Sequence, residues 1–477
     1  MTRKYIKYIA LLCISVVVYS CKNNLELHNG LTNIDNSLDL SQKLSAQANL
    51  SIFNGYVKST GYDKVLAGAQ NYTVWAPTNQ ALANLDAAIV SDPVKLKDFV
   101  ANHIAISTFG LNKEGDTSRL KLLNNKYGTF TSTKFEESTI SGVGQFVKNG
   151  VLYAIDQAVV TKQNIWDYML ANTDASLQKN YINNLSITVI DTANATIIGY
   201  NNLGNPIFAP NPPMISRNTY WVNVADLRDE KQQYTYFILQ DAAFTAESAK
   251  LTPYFPSVNP NLNASYFLVK DLTVKGVYPI EKLPDTLISV QGVKVPVNKA
   301  NIIRSYRASN GMVHVVNALP FRLKDKVPEF KIEGEKPQSV TAARTLLYRT
   351  KIDNLGKSFD DLEVYDHKYA EFGVFYTKAN LPVVKYKVYA RAISGLQGDP
   401  QVVAFTQRYF FYSPSTTSYS LFYTHLVNPL TFNETYLGEY TPTEFGNFIF
   451  RLTAANSTSV NVNTVILDYL RFEPVLP

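Results

Sequence analysis

The sequence predicts an α+β chain: two copies of one mixed module in tandem, followed by an all-β, jelly-roll-like sandwich. Three observations carry this. A short aromatic and β-branched run stops at Pro77, before Thr78-Asn79 and an apolar helical pattern, and returns in altered form at 233–247. An Asn-Gly pair opening an alternating apolar strand occurs at 149–150 and again at 310–311, each time downstream of that run. From Ser339 onward helical spacing gives way to short aromatic runs. A repeat at this scale decides the architecture before any single element does.

Residues 1–20 carry Arg3, Lys4 and Lys7, an apolar run over 9–18, and a small residue before Cys21. The run is shorter than the roughly 20 residues a bilayer span needs, so the segment reads as a secretory leader with a lipobox-like end. An N-terminal membrane anchor or a buried strand is the plain alternative. Of the two cysteines, Cys13 leaves with the leader. No disulfide can then form, and Cys21 is expected to be the lipid attachment point. Several acyl chains on one terminus exceed what stable anchoring requires. The formal charge of +6 falls to +3 once Arg3, Lys4 and Lys7 are removed, which argues against a nucleic-acid partner.

Residues 21–36 are polar and unpatterned, a tether to a first module over 37–162. Apolar residues at helical spacing mark 38–50 and 52–59. In the corner at 71–85, Pro77 cannot continue a strand, and Thr78 or Asn79 can cap a helix from Gln80. A further amphipathic helix is expected over 92–103, with Pro93 in its first turn and Leu96, Phe99 and Val100 on one face. Stretches 120–132 and 139–147 read as short antiparallel strands, and Glu136-Glu137 as a turn. Asn149-Gly150 is a strong hairpin signal.

The corner NYTVWAPTNQAL and the strand KNGVLYAIDQAV resemble the two signatures of fasciclin-like domains, and NGMVHVVNAL repeats the second of them. The chain resembles a Bacteroidota lipoprotein with two such domains. Asp156 matches an aspartate that follows the second signature, and a turn-stabilising role is expected for it. Where the family has a tyrosine-histidine pair tied to adhesion, this chain has Asn102-His103, and His103 is read as structural.

The second module, 163–328, opens on a helical stretch at 164–169 and then departs from the first. From Trp166 to Tyr234 the chain is far longer than an ordinary loop, so 183–232 is read as an insertion. Within it 189–200 alternates like a hairpin, and Ala209-Pro210-Asn211-Pro212-Pro213 is a rigid, extended turn. Leu239-Gln240-Asp241 stands where Pro77-Thr78-Asn79 stood, with Asp241 as the expected cap. The charged stretch 323–338, with two prolines and a glycine, reads as a strand leading into a linker.

Over 338–477 the runs at 345–349, 372–377, 383–392, 402–412, 419–424, 447–453 and 465–472 suit an all-β sandwich. The stretches KYKVYARA and ILDYLRFEP look like the core and final strands of jelly-roll carbohydrate-binding modules.

Catalysis needs positioned acids, bases, nucleophiles or metals. The five histidines, at 28, 103, 314, 367 and 425, are far apart and make no metal-ligand spacing, and His314 sits on a strand as a core or edge residue. No phosphate loop, GxSxG or HExxH occurs. Asp360-Asp361 with Glu363 is the densest carboxylate group. Adjacent aspartates on a strand point to opposite faces, and the group reads as a solvated loop. No enzyme activity and no cofactor are expected.

Thirty-one tyrosines are a stronger signal. Tyrosine, apolar in body and polar at its tip, suits a sugar's C–H face and hydroxyls. Candidate ligand-binding residues are Tyr409, Tyr412, Tyr419, Tyr423 and Tyr440. Each either fills the sandwich core or faces solvent, and in the four-ring run 409–412 alternation sends about half outward.

The resemblance implies adhesion or capture of a glycan or matrix-like ligand. It also implies attachment through lipid to the outer membrane, exposed at the cell surface. The partner it suggests is an outer-membrane uptake channel, which such lipoproteins serve as accessories. The alternative is a structural or assembly lipoprotein bound stoichiometrically to that channel, its aromatics and insertion covered by protein.

Overall fold

The computed structural model describes residues 34–201, 204–256, 259–341, 346–365, 367–369, 372–413, 416–455 and 464–476. The leader, Cys21 and most of the tether lie outside the described residues. Ile34–Asp35 already pairs in parallel with Phe146 and Val147, so the first module begins inside the segment read as tether. Among the described residues no helix is long and apolar enough to cross a membrane.

The first module is a sheet with helices on one side. Tyr72–Pro77 is its centre, flanked by Ile104–Ile106 (antiparallel) and Gly150–Ile155 (parallel). Ser138–Val147 follows, and the sheet curls on through shorter strands. Tyr72–Pro77 is buried along its length, as a strand covered on both faces must be. On one side Val74 meets Leu40, Phe53 and Phe99; on the other, Trp75 stacks on Phe135 at 4.2 Å. Pro93–Ala101 is a helix capped by Asp92, with Leu96, Phe99 and Val100 buried. The helix expected from Gln80 is instead a run of turns. Thr78 Oγ1 accepts from the Ala81 amide, but the bonds at 83 and 85 are of the tighter i→i−3 kind.

The two Asn-Gly pairs do the same work. Asn149 Oδ1 accepts from the Leu40 amide at 2.8 Å, while its Nδ2 donates to the carbonyls of Leu66 and Gly68. Asn310 Oδ1 accepts from the Ile165 amide at 2.9 Å, and its Nδ2 donates to Leu227 O. The glycine lets two backbones touch: a Cβ on Gly150 would lie 1.9 Å from Tyr72 O, and one on Gly311 1.9 Å from Tyr234 O. Both have φ in the region closed to side chains, +149° and +157°.

The second sheet runs Thr273–Lys275, Tyr234–Leu239, Gly311–Val316, Ile302–Ala308, the order of the first. Asp241 does not cap the following helix. Asp241–Leu251 starts one residue after the cap Gln240, and Asp241 Oδ1 accepts from the Leu177 amide instead. In the insertion the expected hairpin over 189–200 does not form. Ser186–Ile190 pairs with Met214–Asn218, and Ile197–Tyr200 with Pro206–Phe208. Alternation marked the strands but could not choose their partners.

The C-terminal sandwich packs three sheets. One runs Phe330–Glu333, Tyr469–Val475, Lys385–Arg391, Thr435–Tyr440. A second runs Ser339–Val340, Gly373–Leu381, Gly446–Ala454, Phe405–Ser413, Ser418–Val427, and a third joins Leu346–Ile352, Ser358–Val364 and Val465–Leu467. Tyr376, Tyr386, Phe450 and Phe472 fill the core. Phe330 stacks on Phe472 at 4.8 Å, so the sandwich takes in a strand ahead of residue 338. The strand expected within 323–338 is thus an edge strand of the sandwich, where charge and proline are tolerated.

By contact density the described chain forms two compact units. One holds the residues up to Ala171 with Leu227–Tyr234 and Tyr306–Met312. The other holds Asn172–Asp226, Thr235–Ser305 and everything from Val313.

Candidate functional site

Strand alternation sorts the aromatic residues of the sandwich. On Phe405–Ser413, Phe405, Gln407, Tyr409 and Phe411 point inward, leaving Arg408, Phe410 and Tyr412 outside. Tyr409 is 1% exposed. Its hydroxyl meets Gln407 Nε2 at 2.8 Å and His425 Nδ1 at 3.2 Å, and its ring stacks on Phe450. It is a core residue and cannot face a ligand, which corrects the reading from composition. Tyr423 stands opposite Tyr409 on the same inward side and packs against the core. Tyr440 lies 3.9 Å from Phe411, and burial pushes its hydroxyl up to about 12.

Tyr412 and Tyr419 are the pair brought together outside. They are directly opposed across the ladder, their rings 5.2 Å apart. Beside them a cross-strand row runs through four neighbouring strands: Phe375 opposite Arg451, Arg451 opposite Phe410, Phe410 opposite Leu421. The Arg451 guanidinium carbon is 5.7 Å from the centroids of both Phe375 and Phe410 and 5.9 Å from that of Tyr419. These distances are within cation–π range. Phe375 also meets Tyr419 edge to face at 5.9 Å. At the margin Tyr412 and Tyr440 line a cavity of about 190 Å³ with Asn447 and Glu444.

This face gathers tilted aromatic rings around the Arg451 guanidinium. The sequence reading missed Phe375 and Arg451. The run Gly-Val-Phe-Tyr-Thr at 373–377 would have exposed the first, because Val374 and Tyr376 are the inward pair and Phe375 must point the other way.

A larger groove of about 810 Å³ lies against the four-stranded sheet. At its floor Arg391 donates to Asp468 (2.6 Å), Asp353 (2.9 Å) and Phe432 O (3.1 Å). Burial raises the Asp468 carboxyl to about 6 despite Arg391. Two of the groove's three rings carry cations: Lys331 sits 3.6 Å over Tyr469, and Arg391 4.9 Å over Phe359.

The carboxylates read as a solvated loop are buried. Asp361 and Glu363 are 0% exposed on Ser358–Val364. Two residues apart on a strand, they share one face. Arg349 holds Asp361 with two bonds, at 2.8 and 2.7 Å, and also reaches Glu363 and Asp399. Lys351 adds bonds to Asp361 and Asp399. Two cations are shared among three carboxylates, and these ion pairs brace the sandwich.

In the first module His103 is fully buried. Its Nδ1–H donates to Phe99 O at 2.8 Å, and Nε2 accepts from the Val159 amide at 3.2 Å. Burial holds its pKa down to about 4. Asp156 accepts from Ser138 Oγ and the Thr139 amide, tying off a turn. His314 is buried between Ser305 Oγ and Tyr278 O. Among the described residues no group of three or more His, Cys, Asp or Glu could hold a metal ion.

A family model, the Fasciclin domain, matches residues 48–161. No curated protein matches the chain at a significant level. Among solved structures the chain is similar to a FAS1 domain pair from the insect cell adhesion molecule Fasciclin I, with 16% identity, 58% of this chain and 99% of that one covered, and a TM-score of 0.23. It is also similar to the C-terminal CBM6 of a marine laminarinase from Zobellia galactanivorans, at 14% identity, 31% and 99% coverage and a TM-score of 0.21. A third is a carbohydrate-binding module, CBM36, in complex with calcium and xylotriose, at 10% identity, 30% and 99% coverage and a TM-score of 0.21. Likenesses at these scores carry no inference about this chain. The fold rests on the strand pairings above and, over 48–161, on the family match.

Proposed function

We propose that this chain is an envelope lipoprotein that captures a glycan on the outer face of its C-terminal sandwich. It is anchored through Cys21 to the outer membrane and exposed at the cell surface. The two fasciclin-type modules are spacer and adhesion elements, and the chain serves as an accessory of a nutrient-uptake channel. It binds rather than catalyses. The observation that carries this is the row Phe375–Arg451–Phe410 with Tyr412 and Tyr419 beside it. These rings are half-buried, and a ligand would cover the apolar surface that remains.

Affinity electrophoresis through gels containing neutral polysaccharides tests the reading. Retardation by at least one of them, lost in Phe410→Ala, is expected; migration unchanged in all of them counts against it. The assembly reading draws on a different feature. The edge strand Ser418–Val427 leaves Leu421 and Leu426 more than half exposed, as a permanent protein contact would require. Stoichiometric co-purification with a channel, without glycan retardation, would favour that reading.

A further inference from the structure

Residues 186–218 form a narrow ribbon of two short ladders, and among the described residues neither has a third strand. Two-stranded ribbons with no covered face are marginal in water. The side chains are nonetheless those of a covered sheet: Ile187, Ile198, Tyr200 and Met214 are 50%, 62%, 66% and 53% exposed. The whole segment has one acid, Asp191, and one base, Arg217.

Hydrogen bonding shows which edge is open. Asp191 N donates to Pro213 O at 2.8 Å and Thr219 N to Leu185 O at 2.6 Å. In this register the amide groups of 185, 187, 189 and 191 face the 214–218 strand, so those of Ser186, Thr188 and Ile190 face away from it. This edge reads Ser-Ile-Thr-Val-Ile, without the lysine, proline or bulge that usually guards an edge.

We infer that this edge pairs with the same edge of a second copy of this chain, antiparallel about a two-fold axis at Thr188. Thr188 then exchanges both backbone bonds with the partner's Thr188, and Ser186 does so with the partner's Ile190. All the outward amide groups are satisfied. Ile187 and Val189, on the same face as Ile215, come beside the partner's Val189 and the partner's Ile187. A β-branched row of Ile215, Val189 and the partner's Ile187 then runs across three strands and ends at the partner's Arg217 on the fourth. Charge and symmetry select a second copy as the occupant. No ionised side chain lies within 186–190, so laying the segment on itself opposes no like charges. An isologous contact also needs a self-complementary patch, and the centre of this one, Ile187-Thr188-Val189, reads alike from either end.

The test is made on the full chain in a density-matched detergent. The unaltered chain should sediment as a dimer and Thr188→Lys as a monomer. Thr188 is exposed on the ribbon, so this change places an edge guard without disturbing a core. With Cys13 and Cys21 replaced by serine, Thr188→Cys should cross-link rapidly under copper phenanthroline, because opposed Cα atoms lie about 5.5 Å apart. Ile190→Cys in the same background should not, its copies being roughly 14 Å apart. A monomeric unaltered chain overturns the interface. A dimer that survives Thr188→Lys, or Ile190→Cys cross-linking as fast as Thr188→Cys, overturns the pairing.

Discussion

Phe410 and Arg451 are direct cross-strand partners on the outer face of the sandwich, the guanidinium carbon 5.7 Å from the ring centroid. Phe375 holds the other side of the same arginine at the same distance. The cation is thus fixed between two rings before any ligand arrives, and pre-organisation lowers the cost of binding. Losing a ring or cation that a bound ligand contacts typically costs about 1–2 kcal/mol of binding free energy. Phe410→Ala and Arg451→Ala should each weaken polysaccharide binding about tenfold, read from retardation coefficients, while leaving thermal unfolding nearly unchanged.

Tyr409, the neighbour of Phe410, should behave in the opposite way. Tyr409→Phe removes a buried hydroxyl that serves Gln407 and His425. It should lower stability by about 1–2 kcal/mol in denaturant titrations and leave glycan retardation alone.

The Asn-Gly clasp should tolerate no side chain. Gly150→Ala drives a Cβ into Tyr72 O, and Gly311→Ala drives one into Tyr234 O. Each should destabilise its own module by about 3 kcal/mol or more, seen as early loss of amide-exchange protection in Tyr72–Pro77 or in Tyr234–Leu239.

Acid should loosen the first module. His103 is held to about 4 in the fold, against an ordinary 6.5. Its Nε2 accepts an amide hydrogen, so a second ring proton would point at a donor. Between those values the unfolded chain takes up a proton that the folded module refuses. Stability is therefore full above about pH 6.5 and falls as pH drops toward 4, by on the order of 3 kcal/mol. His103→Asn should flatten this slope in urea melts run across that window.

The sandwich brace should fail if one charge is removed alone. Arg349→Leu leaves Asp361 and Glu363 buried with too few cations. A loss of about 3–5 kcal/mol is expected. Restoring most of it by neutralising Asp361 and Glu363 together, as Asn and Gln, would show that unpaired charge is the cause.

Local chemistry made the first module legible: Pro77 does end a strand, Asp92 and Pro93 do open a helix, and Asn149-Gly150 does mark the closing hairpin. Partner choice was not legible. The strand at 186–190 shows alternation, but its partner lies beyond a second ladder, and nothing local separates 214–218 from 197–200. Burial of charge was hidden for a related reason. Asp361 and Glu363 look solvated until Leu346–Ile352 brings Arg349 beside them. In the run 409–412 alternation required that half the rings face out but did not say which half. Tyr409 was singled out although its phase, set by Phe405 and Phe411, turns it inward.

The most direct test is hydroxyl-radical footprinting of the full chain with and without a polysaccharide that retards it. Protection should concentrate on Phe375, Phe410, Tyr412 and Tyr419, with the ring surfaces of Tyr469 and Phe359 in the Arg391 groove unchanged. Protection confined to that groove or to the first two modules, with the outer aromatic row equally reactive in both states, would contradict glycan capture on this face.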